Sequence, residues 1–299
     1  MHIVVLGCGY VGLELGRQLR DRGHDVVGVR RSDEGLDAVA EAGLDPVRAD
    51  VTDPGSLADL PDTDWLVFAA SSGGRGADAA RRVFVDGLEN AVEEFSAREL
   101  PPTRLVYTSS TGVYGDHDGD WVDEETPLEP TTEKTRVLAE AEDVALSAPV
   151  PATVTRFAGL YGPSRYRLER YLKGPVTDGY LNMVHRDDAA GAVRFVLEHG
   201  DAPERDRDVD GVLLVVDDEP VSKWTFADWL ADACGAERPP KRTKAERLAA
   251  GDLSEAARRR ILTSKRCSND RLRELGYTFE YPTFREGYQA AVDAYRETP

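Results

Sequence analysis

The residues with the clearest chemistry stand near the start of the chain, Gly7-Cys8-Gly9-Tyr10-Val11-Gly12. Glycines at this spacing can hold the diphosphate of a dinucleotide. The first permits a tight turn, the second lets the backbone approach the phosphates, and the third lets the next helix pack on the preceding strand. Unpaired N–H groups and a partial positive charge at a helix start complete the anion site. The motif works this way only between a strand and a helix. Here Ile3-Val4-Val5-Leu6 precedes it and a helical pattern follows from Tyr10. The expected contacts are Gly7, Gly9, Tyr10, Val11 and Gly12. The second strand ends Val29-Arg30-Arg31-Ser32. An acidic residue there would take a ribose 2′-hydroxyl, whereas arginine suits a 2′-phosphate, and Arg30 and Arg31 together offer bidentate contacts. The expectation is NADP in preference to NAD, although Asp33 and Glu34 follow closely. Cys8 reads either as a redox-sensitive thiol or as a small buried filler of the loop.

Such a loop needs a sheet behind it. Apolar, β-branched runs at 2–6, 26–29, 45–49, 65–70, 104–108 and 152–157 alternate with helical patterns near 10–22, 34–42, 77–97 and 131–147. Short strands separated by helices predict βαβ units and a parallel sheet covered on both faces, with right-handed crossovers. The expected fold class is therefore α/β, a Rossmann-type doubly wound parallel sheet. The pattern changes after about residue 158. Segment 163–182 reads as loops with a short helix, 187–198 as a helix, and 211–216 as a strand that rejoins the main sheet. Residues 222–233 read as a helix, 237–264 as charged and helix-prone, and 284–295 as an amphipathic helix. The charge run Asp201 to Asp210 reads as a solvated loop at the rim. The expected organisation is a cofactor-binding domain over 1–157 and a smaller C-terminal lobe over 158–299, interleaved through the strand at 211–216.

Several further segments carry a family resemblance. Arg48-Ala49-Asp50-Val51-Thr52-Asp53-Pro54, Ala69-Ala70-Ser71, Thr108-Ser109-Ser110-Thr111-Gly112-Val113-Tyr114-Gly115 and Glu125-Thr126-Pro127-Leu128-Glu129-Pro130 lie in the first half. Arg156-Phe157-Ala158-Gly159-Leu160-Tyr161-Gly162-Pro163, Val184-His185-Arg186-Asp187-Asp188-Ala189-Ala190 and the tail from Arg266 to Gly287 follow. Together they resemble the extended short-chain dehydrogenase/reductases, the NAD(P)-dependent epimerase/dehydratases, over nearly the whole chain. The resemblance implies that Asp50 and Val51 contact adenine, and that Ala69, Ala70, Ser71 and Phe157 pack on the cofactor. It also implies that Ser110 hydrogen-bonds a substrate oxygen. Thr111, Tyr114, Tyr161, His185 and Arg266 are the implied substrate-side residues.

One part of the family pattern is missing. The family uses a tyrosine and a lysine at i and i+4 on one helix, where the ammonium favours a phenolate that takes a hydroxyl proton. No tyrosine lies between Tyr114 and Tyr161, and Lys134 is the only lysine in that interval. The chain thus resembles an atypical extended member without the Tyr-x-x-x-Lys pair. Gly159 stands where sugar-nucleotide epimerases carry an asparagine. Lys134 is the candidate for one dyad position, or else a solvent-facing first-turn lysine. Glu133 reads as a helix-start charge, and Tyr114 as a substrate contact or a packing residue. Tyr161 reads as a pocket wall or a turn residue. His185 reads as a donor or a structural support, with Asp187 and Asp188 as a helix cap. Lys265 and Arg266 are candidates to meet an anionic substrate group. Two functions stay open: an oxidoreductase or epimerase/dehydratase acting on a sugar nucleotide or other small hydroxyl or carbonyl compound, and a non-catalytic NAD(P)-binding redox sensor or regulator.

Composition narrows the setting. Net charge is −18 in 299 residues, with arginine about five times as frequent as lysine. Such a surface repels nucleic-acid phosphates and suits a high-salt cytoplasm, where ions screen self-repulsion. No stretch approaches the ~18 apolar residues of a membrane span, and the start lacks the pattern of a secretory signal. Three widely spaced cysteines form neither a disulfide framework nor a metal cluster. The expected partners are a small-molecule substrate and a second copy in a homodimer, with no nucleic acid, membrane or metal.

Overall fold

The computed structural model describes residues 1–73, 76–200, 209–251 and 253–297. Strand β1 (His2–Leu6) is apolar on both sides because it lies between two helical layers. Ile3 and Val5 face a core shared with Val11, Leu15 and Leu19. Val4 and Leu6 face a second core with Leu57, Leu88 and Phe95. The chain continues through α1 (Tyr10–Arg20), β2 (Asp25–Arg30), α2 (Asp33–Glu41), β3 (Asp45–Arg48), α3 (Pro54–Ala58) and β4 (Trp65–Phe68). Next come α4 (Ala77–Arg81), a π-helical turn (Arg82–Asp86), α5 (Gly87–Ser96), β5 (Arg104–Ser110), a 3-10 turn (Thr111–Tyr114) and the short β6 (Trp121–Val122). Helix α6 (Glu133–Leu146) and β7 (Ala152–Phe157) complete this part.

The region 77–97, expected as one amphipathic helix, is thus broken by the π turn. Val83, Phe84 and Val85 are buried in succession there. A regular α-helix spreads three consecutive side chains over more than half a turn, and the wider π turn lets all three reach the interior.

After β7 the chain forms β8 (Gly159–Tyr161), α7 (Leu168–Leu172), β9 (Val176–Thr177), β10 (Tyr180–Leu181), β11 (Met183–His185) and α8 (Arg186–Gly200). Strand β12 (Gly211–Val215) then returns to the main sheet beside β7, in parallel register from Gly211↔Thr153 to Val215↔Phe157. The charge run at 201–210 lies, over 201–208, outside the described residues. The seven parallel strands run in the order β12-β7-β5-β4-β1-β2-β3. Strand order reverses between β1 and β4, and ligands of such sheets bind in the crevice at that point.

The tail adds β13 (Val221–Ser222), α9 (Lys223–Cys234), β14 (Lys241–Arg242), α10 (Lys244–Ala249), α11 (Glu255–Leu262), β15 (Arg266–Cys267), α12 (Asp270–Glu274) and α13 (Phe284–Glu297). Strand β15 pairs with β6, and β11 pairs with β8. Both pairs hold late segments of the chain close to the ends of the main strands. Phe284, Tyr288 and Val292 of α13 pack with Tyr161 and Phe226 in a separate cluster.

Candidate functional site

The glycine loop leaves β1 at Gly7, which takes φ +82. The N–H groups of Gly7 and Cys8 donate to Val29 O at 3.2 and 3.1 Å, tying the loop to β2. A Cβ at Gly7 would fall on the backbone of Ala69 and Ala70, so the end of β4 lies directly against the turn. A Cβ at Gly12 would come 3.1 Å from Val5 Cγ1, which sets how closely α1 packs on β1. Helix α1 has no side-chain cap, and its first turn has no acidic residue. Ser32, Asp53 and Thr132, by contrast, cap α2, α3 and α6 with their side chains. The leading N–H groups of α1 are therefore open. A dinucleotide diphosphate fits this cradle, since any side chain at Gly7 would fill it and no carboxylate competes for the donors.

The end of β2 closes one side of the cradle. A Cβ at Gly9 would come 2.8 Å from Arg30 Nη1, so this guanidinium lies over the loop. The Arg30 side chain makes no hydrogen bond or ion pair among the described residues. Arg31 is exposed and pairs with Asp50 at 3.0 Å. Arg48 pairs with Asp33 and donates to Arg31 O. The Asp50 carboxylate also accepts from the Thr52 N–H and hydroxyl, at 3.0 and 2.9 Å. Burial tends to raise its pKa, but the Thr52 and Arg31 contacts outweigh that and hold it below the usual range. Val51 is buried against Gly87, and Ser71 is exposed at the rim. Burial pushes the Cys8 thiol up to about 12 against the pull of Arg30 and Arg17. That supports a small buried residue and not a thiolate.

The end of β5 forms the next wall. Ser110 Oγ accepts from the Gly112 N–H at 3.1 Å and caps the 3-10 turn, which leaves its own O–H free to donate. A Cβ at Gly112 would be 3.4 Å from Ser110 Oγ and 3.7 Å from Thr135 Cγ2. Thr135 of α6 is thus the neighbour of this turn. Lys134 is exposed, with Nζ 5.9 Å from the Phe84 ring centroid. Helix α6 contains no tyrosine. Sequence reading missed Thr135, whose signal was the capping-box spacing with Thr132.

Two of the expected substrate contacts belong to the interior. The Tyr114 ring is fully buried; its hydroxyl donates to Asp123 O at 2.6 Å and accepts from Arg156 Nη1 at 2.6 Å. Thr111 is 7% exposed, and Phe157 is buried at the end of β7 opposite Ser110. Of the two readings of Tyr114 these contacts support packing: the ring lies under the Arg156 guanidinium, 4.9 Å from its centroid. Ser109 Oγ binds Glu142 at 2.5 Å, and Glu142 binds Arg156.

Tyr161 is read the same way. Its ring stacks on Tyr288 at 4.8 Å and is 2% exposed, so it is part of the α13 core and not a pocket wall. His185 lies beside it, edge-on at 5.3 Å. His185 Nδ1 accepts from the Asp187 N–H at 3.3 Å, which assigns the ring proton to Nε2. A Cβ at Gly162 would lie 3.1 Å from that Nε2. Burial holds the imidazole down to about 4, so it is neutral at neutral pH. Asp188 does not cap α8. Its carboxylate accepts from the Glu280 and Tyr281 N–H groups at 2.7 and 2.8 Å, a long-range anchor invisible to local spacing. Lys265 is buried and donates to Gly115 O at 2.9 Å. Arg266 donates to Gly119 O and lies between the Trp121 and Tyr180 rings, at 5.1 and 5.0 Å. Among the described residues no three His, Cys, Asp or Glu side chains gather as for a metal ion, and no helix is long and apolar enough to cross a membrane.

The sequence model of the NAD dependent epimerase/dehydratase family matches residues 3–210. The chain is 28% identical to the protein YeeZ of Escherichia coli K12 over 288 residues, covering 94% of this chain and 96% of that one. A solved structure of a candidate NAD-dependent epimerase/dehydratase from Methylobacillus flagellatus is 32% identical, covers 99% of both chains and superposes with a TM-score of 0.77. The human epimerase family protein SDR39U1, solved with NADPH, is 19% identical over 98% of this chain and 99% of that one, with a TM-score of 0.76. At that identity the likeness is one of fold.

Proposed function

The chain belongs to the NAD dependent epimerase/dehydratase family, and on that premise we propose that it binds NADP in preference to NAD and acts on a hydroxyl or carbonyl of a small substrate. Sugar nucleotides are the first compounds to try. One observation carries the cofactor reading: the uncapped, acid-free start of α1 behind a glycine turn that has no room for a side chain. The preference for NADP is supported by Arg30, unpaired over Gly9, a strong partner for a 2′-phosphate. Bound NADP would supply the hydride acceptor or donor. Ser110 would orient the substrate oxygen with its free O–H, and Thr135 would border it. His185, neutral, buried and packed against Tyr161 and Tyr281, would support the turn at Gly162 and not touch the substrate. The proton carrier would differ from the family dyad, because α6 offers no phenol. Three free, buried cysteines are consistent with a reducing cytoplasm.

Titration with NADPH and NADH, followed by hydride-transfer assays over sugar nucleotides and small alcohols, tests this reading. Absence of saturable binding to folded protein would overturn it. A second reading, a redox-responsive protein without turnover, is favoured by the absence of a tyrosine from α6. Tight cofactor binding with no turnover across the panel would select it.

A further inference from the structure

The segment after β8 crosses back over the start of α1. The Tyr10 hydroxyl donates to Pro163 O at 3.1 Å. Gly162 lets the chain pass, since a Cβ there would meet both Tyr10 Oη and His185 Nε2 at 3.1 Å. Just beyond, Ser164 takes φ +63 and Arg167 φ +51, in the left-handed region that residues with side chains seldom adopt. Backbone of this kind gathers at ligand clamps. Between these two residues Arg165 holds its guanidinium carbon 3.9 Å from the Tyr10 ring centroid.

Two arginines share that ring, and they differ. Arg186 lies 5.6 Å from its centroid, and its charge is met by Glu14 at 3.2 Å and Asp187 at 2.7 Å. Arg165 makes no ion pair or side-chain hydrogen bond among the described residues, although the chain carries a net charge of −18. An exposed, unpaired guanidinium thus stands on a left-handed turn over Tyr10, the first residue of α1.

We propose that Arg165 is a second clamp on the cofactor diphosphate, closing from the 162–167 turn onto the donors of α1. This rests on the cofactor reading above. A planar guanidinium binds phosphate bidentately. The contact involves the diphosphate alone, so NADPH and NADH depend on it equally. Arg30, at the adenosine end, would distinguish them.

Calorimetric titration of the full chain tests this with Arg165→Ala, Arg165→Lys and Arg30→Ala, against NADPH, NADH, ADP-ribose and adenosine 2′-monophosphate. Arg165→Ala is expected to weaken NADPH, NADH and ADP-ribose by roughly tenfold or more. It should leave adenosine 2′-monophosphate and the NADPH-to-NADH ratio within about twofold, and Arg165→Lys should restore part of the loss. The melting temperature of the ligand-free protein should not change. If Arg165→Ala binds all four ligands like the parent, the clamp is wrong while the cofactor site stands. Equal weakening of all four with a lowered melting temperature would also overturn it, marking Arg165 as structural. Failure of the parent protein to bind either dinucleotide would instead remove the cofactor reading itself.

Discussion

Glu142 of α6 and Arg156 of β7 meet at 2.6 Å in the interior, with side chains only 2% and 6% exposed. The pair also holds Ser109 and Tyr114, so it fixes the strand end from which Ser110 projects. Removing one charge strands the other out of water. Glu142→Ala should lose about 3–5 kcal/mol of unfolding free energy, measured by urea denaturation at pH 7. The double change Glu142→Leu with Arg156→Met should recover most of that. A single variant as stable as the parent would refute the pairing.

Gly7→Ala should lose most cofactor affinity and at least about 1 kcal/mol of stability. The residue sits at φ +82, and its Cβ would strike Ala70. Paired NADPH titrations and thermal melts check this, and full binding by the variant would contradict the proposed seat.

Arg30→Ala should lower the ratio of NADPH to NADH affinity by roughly tenfold, the value of about one charge-assisted hydrogen bond. Arg31→Ala should change it less, because Asp50 already occupies that guanidinium. Equal effects from the two variants would show that Arg30 does not read the 2′-phosphate.

The His185 imidazole should make folding sensitive to acid. Its pKa falls from 6.5 in the unfolded chain to about 4 in the buried site, where Asp187, Arg186 and Tyr281 face it. The unfolded chain therefore takes the proton first as pH falls. The stabilisation is complete above pH 6.5 and drains away toward pH 4, about 3 kcal/mol in all. Chemical unfolding of the parent and His185→Gln between pH 7 and 4 isolates this slope, and parallel curves would refute it.

Tyr161→Phe should be neutral or stabilising, since the phenol oxygen is buried without a hydrogen-bond partner among the described residues. Gly287→Ala should destabilise by about 1–3 kcal/mol, because its methyl would press on the same phenol. Combining the two should return part of the loss. Reduced activity with unchanged stability in Tyr161→Phe would instead return this residue to the substrate.

The sheet could be read from the sequence because its signals are local. Apolar runs such as Ile3–Leu6 and Trp65–Phe68 announce doubly covered strands, and the glycine spacing carries its own mechanism. Side-chain directions could not be read. Tyr114 and Tyr161 sit in motifs that resemble active-site segments, yet each turns inward because of a distant partner, Arg156 for one and Tyr288 for the other. The same holds for Asp188, whose carboxylate serves backbone some ninety residues later. The π turn at Arg82–Asp86 arises from packing that helical periodicity does not record. Arg165 gave no signal at all, because the left-handed turns that aim it fall on serine and arginine and not on glycine.

The position of β12 has a practical consequence. It covers the outer side of β7, but it is made only after the chain has wandered through β8 to α8. A fragment ending at residue 157 would leave the whole length of β7 unsheltered, an invitation to intermolecular strand pairing and precipitation. Such a fragment should therefore precipitate when expressed alone.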